Sequence, residues 1–579
     1  MSRRTLNVRD GRRMLLVVAV LALGIATAAL PTGAARFDPP GQLVQVQLLA
    51  FNDYHGHLEA GGAGNVGTAP AGGGEYLSAK LQELRVGHKH SLTVAAGDLI
   101  GATPFLSGVF HDEPSVESLN VMGLDVSSVG NHEFDEGVTE LLRMQNGGCH
   151  PMDGCYFPNA PYAGADFQWL AANTVNETTG QTPLPPYWIR KFESVKIGFI
   201  GMTLEDTDTL VAQAGIRGWS FLDEAETANA LVPELKRQGV EAIVVLLHEG
   251  GSQTPPPGDI DACAGISGPI VAINRALDDE IDAVVTGHTH LPYNCVLEER
   301  IVTSAFSFGR VVSEISLVVD KRTKDVRRDL STAVNHAVLH SQIAPDPAIT
   351  AVIDKWKPLS DVIGNQEVGE ITADIRRAFI GSTEDRGSES NLGNMIADAQ
   401  LWATQPNSAH IAFMNPGGIR ADLIYAQSGS EGDGVVTYAE AFNVQPFSNI
   451  LMTFPMTGEQ VIDVLEEQCQ PAGVSRPFLH LGVSTGFEYD LAKTISGGTC
   501  TAVTVSNVTL NGVPLDPNAT YNVTVNNFLA DGGDNFVTFR DVDPALRIGG
   551  GIDLDELVNY LGSEGPIEPP GTDRVTELP

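Results

Sequence analysis

Short apolar runs, each ending in a glycine or polar turn, recur along the first half of the chain and constrain its fold more than any other feature. The runs are LVQVQLLAFND, SLTVAAGD, DVSSVGNHEFD, KIGFIGMT, AIVVLLHEGG and IDAVVTGHTH. Runs rich in Val, Ile and Leu are typical of strands that are buried on both faces, and the segments between them have helical character. The sequence therefore predicts an α/β fold in which strands and helices form layers.

The length of the chain and one connecting helix predict two domains. At 579 residues the chain exceeds what one hydrophobic core usually organises. Asp346-Pro347 is a typical helix start, and apolar residues then repeat at helical spacing, so we expect a linker helix over 346–365. We place a first domain at 43–340, before this helix, and a second, smaller α/β domain at 369–565.

Polar residues that could bind a metal follow the apolar runs, at the point where each run ends. They are Asp53, His55, Asp98, Asn131, His132, Asp135, His248, His288 and His290. Any one of them alone is better explained as a helix cap, a turn residue or a satisfied histidine. Five clusters at strand ends of what we take to be a single sheet favour one common site, because the carboxyl ends of parallel strands meet at one edge.

The chemical types of these residues indicate divalent metals. Carboxylates, an amide oxygen and neutral imidazoles suit hard-to-borderline ions such as Zn, Mn or Co, and none of the candidate ligands is a thiolate. If one carboxylate bridges, seven ligands for two ions leave positions open for water and substrate. Open positions are typical of a catalytic site rather than a structural one.

The motifs NDYHGH, AAGDLIG, GNHEFD and TGHTH, in this order, resemble the signature of the calcineurin-like metallophosphoesterase superfamily. That resemblance implies a β-sandwich flanked by helices and a centre of two metal ions that activate a water. It assigns one ion to Asp53, His55, Asp98 and His290, and the other to Asp98, Asn131, His248 and His288, with Asp98 as the bridge. It makes His132 and Asp135 a catalytic pair, in which Asp135 orients an imidazole that stabilises the phosphoryl group or the leaving oxygen.

Motifs in the second half resemble the C-terminal domain of the 5′-nucleotidase and UDP-sugar hydrolase family. They are RGSESNLGNMIADA, NPGGIR, FNVQPFSN and NFLADGGDNF. By this resemblance Phe447 and Phe528 enclose the base, Asn415 and Asp534 bind base or ribose, and Arg386 and Arg420 hold phosphate. The physical chemistry agrees, because aromatic rings stack on any base and the guanidinium fork matches phosphate oxygens.

Charge and the N-terminus limit the partners and the location. A formal net charge of −37 argues against binding a nucleic acid polymer, although metals and arginines can still attract a small nucleotide into one cleft. Residues 1–36 combine arginines, an apolar run and small residues, as a secretory signal peptide does, with a membrane anchor as the alternative. We therefore expect a secreted or periplasmic protein that is free of the membrane once the signal is removed. No feature indicates an oligomeric state.

Six cysteines fit an oxidising compartment. Six thiols allow 15 pairings, and the spacing favours local pairs in sequence order, because each pair then closes a loop inside one domain. They are Cys149, Cys155, Cys263, Cys295, Cys469 and Cys500.

Taken together, the residues and the resemblance predict a secreted dimetal 5′-nucleotidase. It would release phosphate from nucleoside 5′-monophosphates, with diphosphates, triphosphates or nucleotide sugars as further substrates. Two alternatives remain open: a 2′,3′-cyclic-nucleotide 2′-phosphodiesterase with 3′-nucleotidase activity, and a non-catalytic nucleotide-binding surface protein. Relatives that cleave cyclic nucleotides often have Tyr where this chain has Phe447 and Phe528, which favours 5′-nucleotides.

Overall fold

The computed structural model describes residues 41–254, 259–381, 383–429, 431–472, 474 and 476–578. Residues 42–579 form one compact unit. The signal peptide predicted at 1–36 lies outside the described residues, and the domain boundaries drawn from the sequence stay predictions. Among the described residues, no helix combines the length and the apolar character that crossing a membrane requires.

Strands and helices alternate through the first half of the chain. The strands are β1 Leu43–Phe51, β2 Asn65–Val66, β3 Ala69–Pro70, β4 Ser91–Ala96, β5 Val126–Ser128, β6 Gln168–Leu170, β7 Thr174–Asn176, β8 Tyr187–Phe192, β9 Val195–Thr203, β10 Trp219–Phe221, β11 Ala242–His248, β12 Ala283–Thr286, β13 Tyr293–Leu297, β14 Arg300–Ser304, β15 Val311–Asp320 and β16 Thr332–Ala337. The helices are α1 Gly74–Arg85, α2 Phe105–Gly108, α3 Glu113–Met122, α4 Gly137–Asn146, α5 Gln213–Ile216, α6 Glu224–Arg237 and α7 Pro269–Ala276.

Two six-stranded sheets pack face to face in this half, in the orders β16-β15-β1-β4-β5-β6 and β13-β14-β12-β11-β9-β8. Successive residues of β1 point to opposite faces: Val46 and Leu48 enter the core between the sheets, while Leu49 enters a second core under the helices. Both faces of the strand are therefore buried, which is why the sequence shows continuous apolar runs rather than alternation. The expected β-sandwich flanked by helices is confirmed.

A long helix follows, α8 Pro347–Gly364. It begins where the sequence predicts, because the Asp346 carboxylate accepts a hydrogen bond from the backbone N–H of Ala348, and Pro347 occupies the first turn. Its apolar stripe is buried, and the Trp356 ring contacts Phe110 and Phe157 of the first half. The predicted helix is confirmed, and its role as a linker stays a prediction.

The second half contains a five-stranded sheet and a four-stranded sheet, in the orders β23-β20-β27-β22-β28 and β26-β25-β24-β29. The strands are β17 Glu367–Glu370, β18 Phe379–Ile380, β19 Thr383–Glu384, β20 Ile411–Met414, β21 Val435–Thr437, β22 Ile450–Thr457, β23 Gly482–Val483, β24 Phe487–Ser496, β25 Thr499–Leu510, β26 Val513–Pro514, β27 Thr520–Asn526, β28 Ile548–Ile552 and β29 Val575–Glu577. The helices are α9 Asn391–Ala403, α10 Tyr438–Val444, α11 Gly458–Glu467, α12 Asn527–Ala530, α13 Val537–Arg540 and α14 Asp553–Glu564.

Three disulfides join the cysteines in sequence order. They are Cys149–Cys155, Cys263–Cys295 and Cys469–Cys500. The predicted local pairing is confirmed. The first bond closes a loop of only a few residues directly after α4, which places the residues of that loop against the start of the same helix.

Candidate active site

The predicted metal ligands meet at one end of the β-sandwich, but they come from two sheets. Asp53 follows β1, Asp98 follows β4, and β1 and β4 are parallel neighbours in the first sheet. His248 ends β11 and His288 follows β12, its parallel neighbour in the second sheet. The expectation of a single sheet was wrong, because strands of both sheets are apolar on both faces and their patterns do not tell the sheets apart. The expected convergence still occurs, because the carboxyl ends of both sets of strands open onto the same edge.

One cluster of potential ligands consists of Asp53, His55 and His290. The Nδ1 of His55 lies 2.8 Å from the Gly101 carbonyl, so Nδ1 carries the proton and Nε2 presents a lone pair. That Nε2 lies 3.2 Å from Nε2 of His290, which in turn lies 3.2 Å from Oδ1 of Asp53. Burial lowers the pKa of His55 well below its ordinary value, so its ring is neutral, as a metal ligand requires.

A second cluster consists of Asp98, His248 and His288. The Nδ1 of His248 donates to the Ala96 carbonyl at 2.7 Å, which turns Nε2 towards Asp98 Oδ2 at 2.9 Å. This Nε2 is buried and lacks a hydrogen bond of acceptable geometry within the described residues. Asn131 joins the cluster, with its Oδ1 3.1 Å from Nδ1 of His288.

Asp98 lies between the two clusters. Its Oδ2 is 2.9 Å from His248 Nε2 and 3.6 Å from His55 Nε2, and its Oδ1 accepts from the backbone N–H of His132 at 2.9 Å. Buried imidazole nitrogens that face one another and a shared carboxylate are a donor set for divalent cations. The Asp and His clusters therefore fit a metal site, and the residues alone leave the identity of the metal open.

The backbone at the ligands is held in an unusual conformation. Five of the seven residues have φ between 45° and 71°, in the left-handed region: Asp53, His55, Asp98, His288 and His290. Residues other than glycine, asparagine and aspartate adopt this region rarely, and such strain gathers at functional sites. Gly97 also lies there, with φ of 76°, and a Cβ at this position would come within 2.8 Å of His248 Nδ1.

Glu133 holds two loops of the site together, and the sequence patterns did not indicate this role. Its carboxylate accepts hydrogen bonds from the backbone N–H groups of Asp98, Leu99 and Gly130 at 2.6–2.9 Å. It therefore ties the loop after β4 to the loop after β5. Burial and the nearby Asp98 raise the pKa of Glu133 to about 7. Its place inside GNHEFD was visible, but two of the backbone groups that it binds, those of Asp98 and Leu99, lie far away in the sequence.

His132 and Asp135 form a hydrogen-bonded pair, with 2.8 Å between Nδ1 and Oδ2. His132 starts a short 3₁₀ turn, His132–Phe134, so that its side chain and that of Asp135 lie on the same side of the turn. Burial lowers the pKa of His132, but Asp135 and Asp98 more than offset this, so the pKa stands above its ordinary value. The imidazole is therefore biased towards the cation that a phosphoryl group would attract.

A cavity of about 450 Å³ connects the metal ligands to the second half of the chain. Its lining includes all six predicted substrate residues, Arg386, Asn415, Arg420, Phe447, Phe528 and Asp534. The amide of Asn415 donates to Asp534 at 2.8 Å and accepts from Asn526 at 3.0 Å. The same cavity reaches Asp98, Asn131, His132 and Asp135.

Arg476 is a third arginine in the cavity and was also missed from the sequence. Arg386 pairs with Glu384 at 2.9 Å, whereas, within the described residues, the guanidinium groups of Arg420 and Arg476 pair with no carboxylate. Burial and the charge of Arg386 lower the pKa of Arg420 to about 10. The charge of Arg386 and burial lower the pKa of Arg476 to about 9. Two half-buried guanidinium groups that form no ion pair within the described residues make this end of the cavity a place for an anion.

Two family models match the chain. Residues 46–292 match the calcineurin-like phosphoesterase model, and residues 363–541 match the model of the 5′-nucleotidase C-terminal domain. The first range contains the predicted metal ligands, and the second contains the six predicted substrate residues.

Three curated relatives resemble the chain over nearly its whole length. Endonuclease YhcR of Bacillus subtilis is 33% identical over 91% of this chain, which spans 40% of that protein. Cell wall protein Lmo0130 of Listeria monocytogenes is 31% identical over 94% of this chain, which spans 70% of it. A 5′-nucleotidase of Vibrio cholerae is 26% identical, with 96% of this chain and 97% of that one covered.

A solved structure shares the fold. The 5′-nucleotidase precursor of Thermus thermophilus superposes with a TM-score of 0.70 at 24% identity, over 92% of this chain and 99% of that one. Both family models match in the order expected, and a relative more than 30% identical to this chain is covered over more than two thirds of its own length. The chain therefore belongs to the 5′-nucleotidase family, in which a calcineurin-like phosphoesterase domain is joined to a 5′-nucleotidase C-terminal domain.

Proposed function

We propose that this protein is a phosphohydrolase that converts nucleoside 5′-monophosphates to nucleoside and phosphate. The observation that carries the proposal is the shared cavity: one continuous space is lined by potential metal ligands at one end and by two aromatic rings and three arginines at the other. Phosphate chemistry and base recognition would then act on one small molecule. The Vibrio cholerae relative bears the name 5′-nucleotidase, which supports the same reading.

Two divalent ions would be held by the seven ligands. Asp53, His55, His290 and the bridging Asp98 would hold one ion, and Asp98, Asn131, His248 and His288 the other. When bound, a pair of such ions lowers the pKa of water and neutralises charge on the phosphoryl oxygens. The donor set of imidazole and carboxylate suits Zn, Mn or Co.

His132 would act on the phosphoryl group. Asp135 holds Nδ1 at 2.8 Å, so Nε2 is the nitrogen that can face substrate. The raised pKa favours the imidazolium, which donates a hydrogen bond to a phosphoryl oxygen and places positive charge where negative charge accumulates. Asp135 fixes the tautomer and the orientation of the ring.

The other end of the cavity would hold the nucleoside. The rings of Phe447 and Phe528 would stack on the base without reading its identity, while Asn415 and Asp534, already hydrogen-bonded to each other, would bind base or ribose. Arg386, Arg420 and Arg476 would attract the phosphate and, in longer substrates, further phosphates. This supports diphosphates, triphosphates and nucleotide sugars as additional substrates.

The enzyme would act outside the cytoplasm. The signal-like N-terminus and three disulfides support export, because such bonds form and persist in oxidising compartments. One relative is named a cell wall protein. The net charge of −37 opposes a polynucleotide, so we favour free nucleotides over the nucleic acid that the name of another relative indicates.

Product analysis on a panel of substrates tests the proposal, with free phosphate measured alongside chromatography of the nucleosides, nucleotides, sugar phosphates and oligonucleotide fragments. Metal-loaded enzyme is given AMP, 2′,3′-cyclic AMP, UDP-glucose and a DNA oligonucleotide, each with and without chelator. We expect the highest kcat/KM for AMP, lost with chelator and restored by Zn²⁺, Mn²⁺ or Co²⁺. Faster cleavage of the cyclic nucleotide or the oligonucleotide would replace the proposed substrate. Nucleotide binding without turnover under any metal would leave only a binding protein.

A further inference from the structure

A second group of metal-binding side chains lies outside the cavity, next to the disulfide Cys149–Cys155. The disulfide loop carries His150 back to α4 and places its ring against His111, with 3.7 Å between ring centroids and 19° between ring planes. His111 precedes α3 in a separate segment of the chain. Two imidazoles from distant segments therefore share one small volume.

Two carboxylates complete this group. Glu136 immediately precedes α4 and Glu140 lies in its first turn, so the two side chains are four residues apart on one face of the helix. One nitrogen from each of His111 and His150 and one oxygen from each of Glu136 and Glu140 all lie within 4.8 Å of one another. Four donors within this distance can surround a single ion.

The donors are oriented by outer partners, as metal ligands usually are. Both ring nitrogens of His111 lie 2.8 Å from carboxylate oxygens, Nε2 from Asp153 and Nδ1 from Glu136. Burial lowers the pKa of His111, but these carboxylates more than offset it and raise the pKa to about 9. An ion bound here would displace the proton on Nδ1, while the Nε2–H stays donated to Asp153. Arg143 donates to both oxygens of Glu140 at 2.6–3.0 Å, which holds that carboxylate in place. The side chains of His150 and Glu140 are mostly buried, whereas that of Glu136 is 46% exposed and leaves a path for an ion.

We propose that His111, Glu136, Glu140 and His150 bind a third divalent ion, a structural Zn²⁺, apart from the catalytic pair. Two imidazole nitrogens and two carboxylate oxygens form a four-coordinate set that suits zinc, because zinc accepts N and O donors and has no geometric preference from its d-electrons. With both histidines neutral, the four donors carry two negative charges, which one Zn²⁺ balances. The absence of thiolates disfavours Cu(I) and iron–sulfur clusters.

This position couples the ion to the active site. Glu136 follows Asp135 directly, so an ion held by Glu136 fixes the end of the loop that carries the catalytic pair. On the other side, Asp112, next to His111, accepts a hydrogen bond from Gly101 N–H at 2.8 Å, and the Gly101 carbonyl is the partner of His55 Nδ1. The site would therefore anchor two active-site loops from outside the cavity.

The metal content of the purified full-length chain tests the proposal. The protein is loaded with Zn²⁺ alone, dialysed, and its zinc measured by mass spectrometry. We expect three zinc ions per chain in the parent protein and two in His150→Ala and in the near-isosteric Glu136→Gln. His410→Ala, which removes an exposed histidine elsewhere, should retain three.

A second background separates this site from the catalytic one. Asp98→Asn removes zinc from the proposed catalytic pair, so a further loss of one zinc ion per chain is expected when His150→Ala is added to this background. Equal zinc contents with and without His150, in both backgrounds, would overturn the proposal and leave the cluster as an ion pair between protonated His111 and its carboxylates.

Hydrogen exchange over residues 131–150 provides a readout besides activity. The exchange rate should rise at least tenfold in His150→Ala if the ion anchors the loop. An unchanged rate would overturn the anchoring role.

Discussion

The imidazole of His132 lies nearly parallel to the ring of Phe447, with 5.9 Å between the centroids and 16° between the planes. One ring belongs to the proposed catalytic pair and the other to the proposed base clamp. Since one face of Phe447 is turned to His132, the base of a nucleotide would stack on its opposite face. The proposed catalytic pair and the proposed base clamp are therefore neighbours across the two halves of the chain.

The base clamp should matter for nucleotides and not for small esters. Each aromatic ring contributes roughly 1–3 kcal/mol to stacking, so Phe447→Ala with Phe528→Ala should raise KM for AMP by about two orders of magnitude. Hydrolysis of p-nitrophenyl phosphate should change little, because this ester has no base. Steady-state kinetics with both substrates measures the difference.

The matched control for the clamp is Phe379→Ala, which removes an exposed aromatic ring of the second half that does not line the cavity. Its kinetics should equal those of the parent. An unchanged KM for AMP in the double variant would remove the base clamp from the proposal.

Arg476 should contribute to binding and oppose stability. The charges of Arg386 and Arg420 disfavour its own positive charge, and Glu384 and Asp534 offset this only in part, so an anion in the cavity would relieve a net repulsion. A hydrogen bond to a charged group contributes about 1.5–3 kcal/mol, so Arg476→Gln should raise KM for AMP roughly 10- to 100-fold. The same change should raise the melting temperature of the ligand-free protein, since it removes repulsion.

The exposed Arg275 offers a control, and Arg275→Gln should affect neither quantity. Arg476→Lys should recover part of the binding, because it restores the charge without the planar fork. A drop in melting temperature with normal KM for Arg476→Gln would assign this residue a structural role instead.

Substitutions of His132 and of Asp98 should impair turnover in different ways. His132→Ala removes the group that we propose acts on the transition state, so kcat should fall by about 10²–10⁴ with the catalytic metal content unchanged. Asp98→Asn removes the carboxylate proposed to bridge the two ions, so zinc should be lost along with turnover. Kinetics and metal analysis of the same preparations distinguish the two. A His132→Ala protein that lacks a catalytic ion would show that His132 is a ligand.

Asp553 should make stability depend on pH. This residue is 2% exposed at the start of α14, and burial raises its pKa to about 7 although it accepts a hydrogen bond from Asn449. A raised pKa means that the folded state favours the proton. Its contribution to the free energy of unfolding is therefore complete below about pH 4 and is lost as the pH rises through 7.

Asp553→Asn should remove this dependence. Between pH 5 and 8 the difference between parent and variant in the free energy of unfolding should change by on the order of 2 kcal/mol, in favour of the variant at high pH. Urea unfolding at several pH values measures it, with Asp555→Asn on the exposed side of the same helix as the control. Parallel pH profiles for the parent and Asp553→Asn would contradict the prediction.

The sequence, together with the family resemblance, predicted the layered architecture and singled out the Asp and His residues that the structure brings together in two clusters. Residues such as His288 and His290 stand in short motifs directly after apolar runs, and a local pattern of this kind can be recognised without knowledge of the fold. Asp346 likewise marks the start of α8 by local chemistry alone. Such patterns do not predict how the strands divide between the two sheets, because that division depends on which strands pair with one another.

Arg476 and Glu133 show the other limit. Arg476 stands in the segment AGVSRP, which has no periodicity and no motif, and its importance arises only from the arginines that approach it in space. Glu133 acts through backbone N–H groups, which every residue possesses and no sequence pattern marks. His111 and His150 stand far apart in the sequence, and their rings meet beside the disulfide Cys149–Cys155, a contact that no local pattern predicts.

The left-handed backbone at Asp53, His55, Asp98, His288 and His290 has a consequence for metal selectivity. Each such conformation costs on the order of 1–3 kcal/mol and persists because the surrounding fold imposes it. Ligands held in this way cannot rearrange to suit ions of different radius or coordination number. The protein would therefore select its metals by fit to a rigid frame, and an ion that prefers a wider shell of oxygen donors, such as Ca²⁺, would compete poorly even when it is abundant outside the cell.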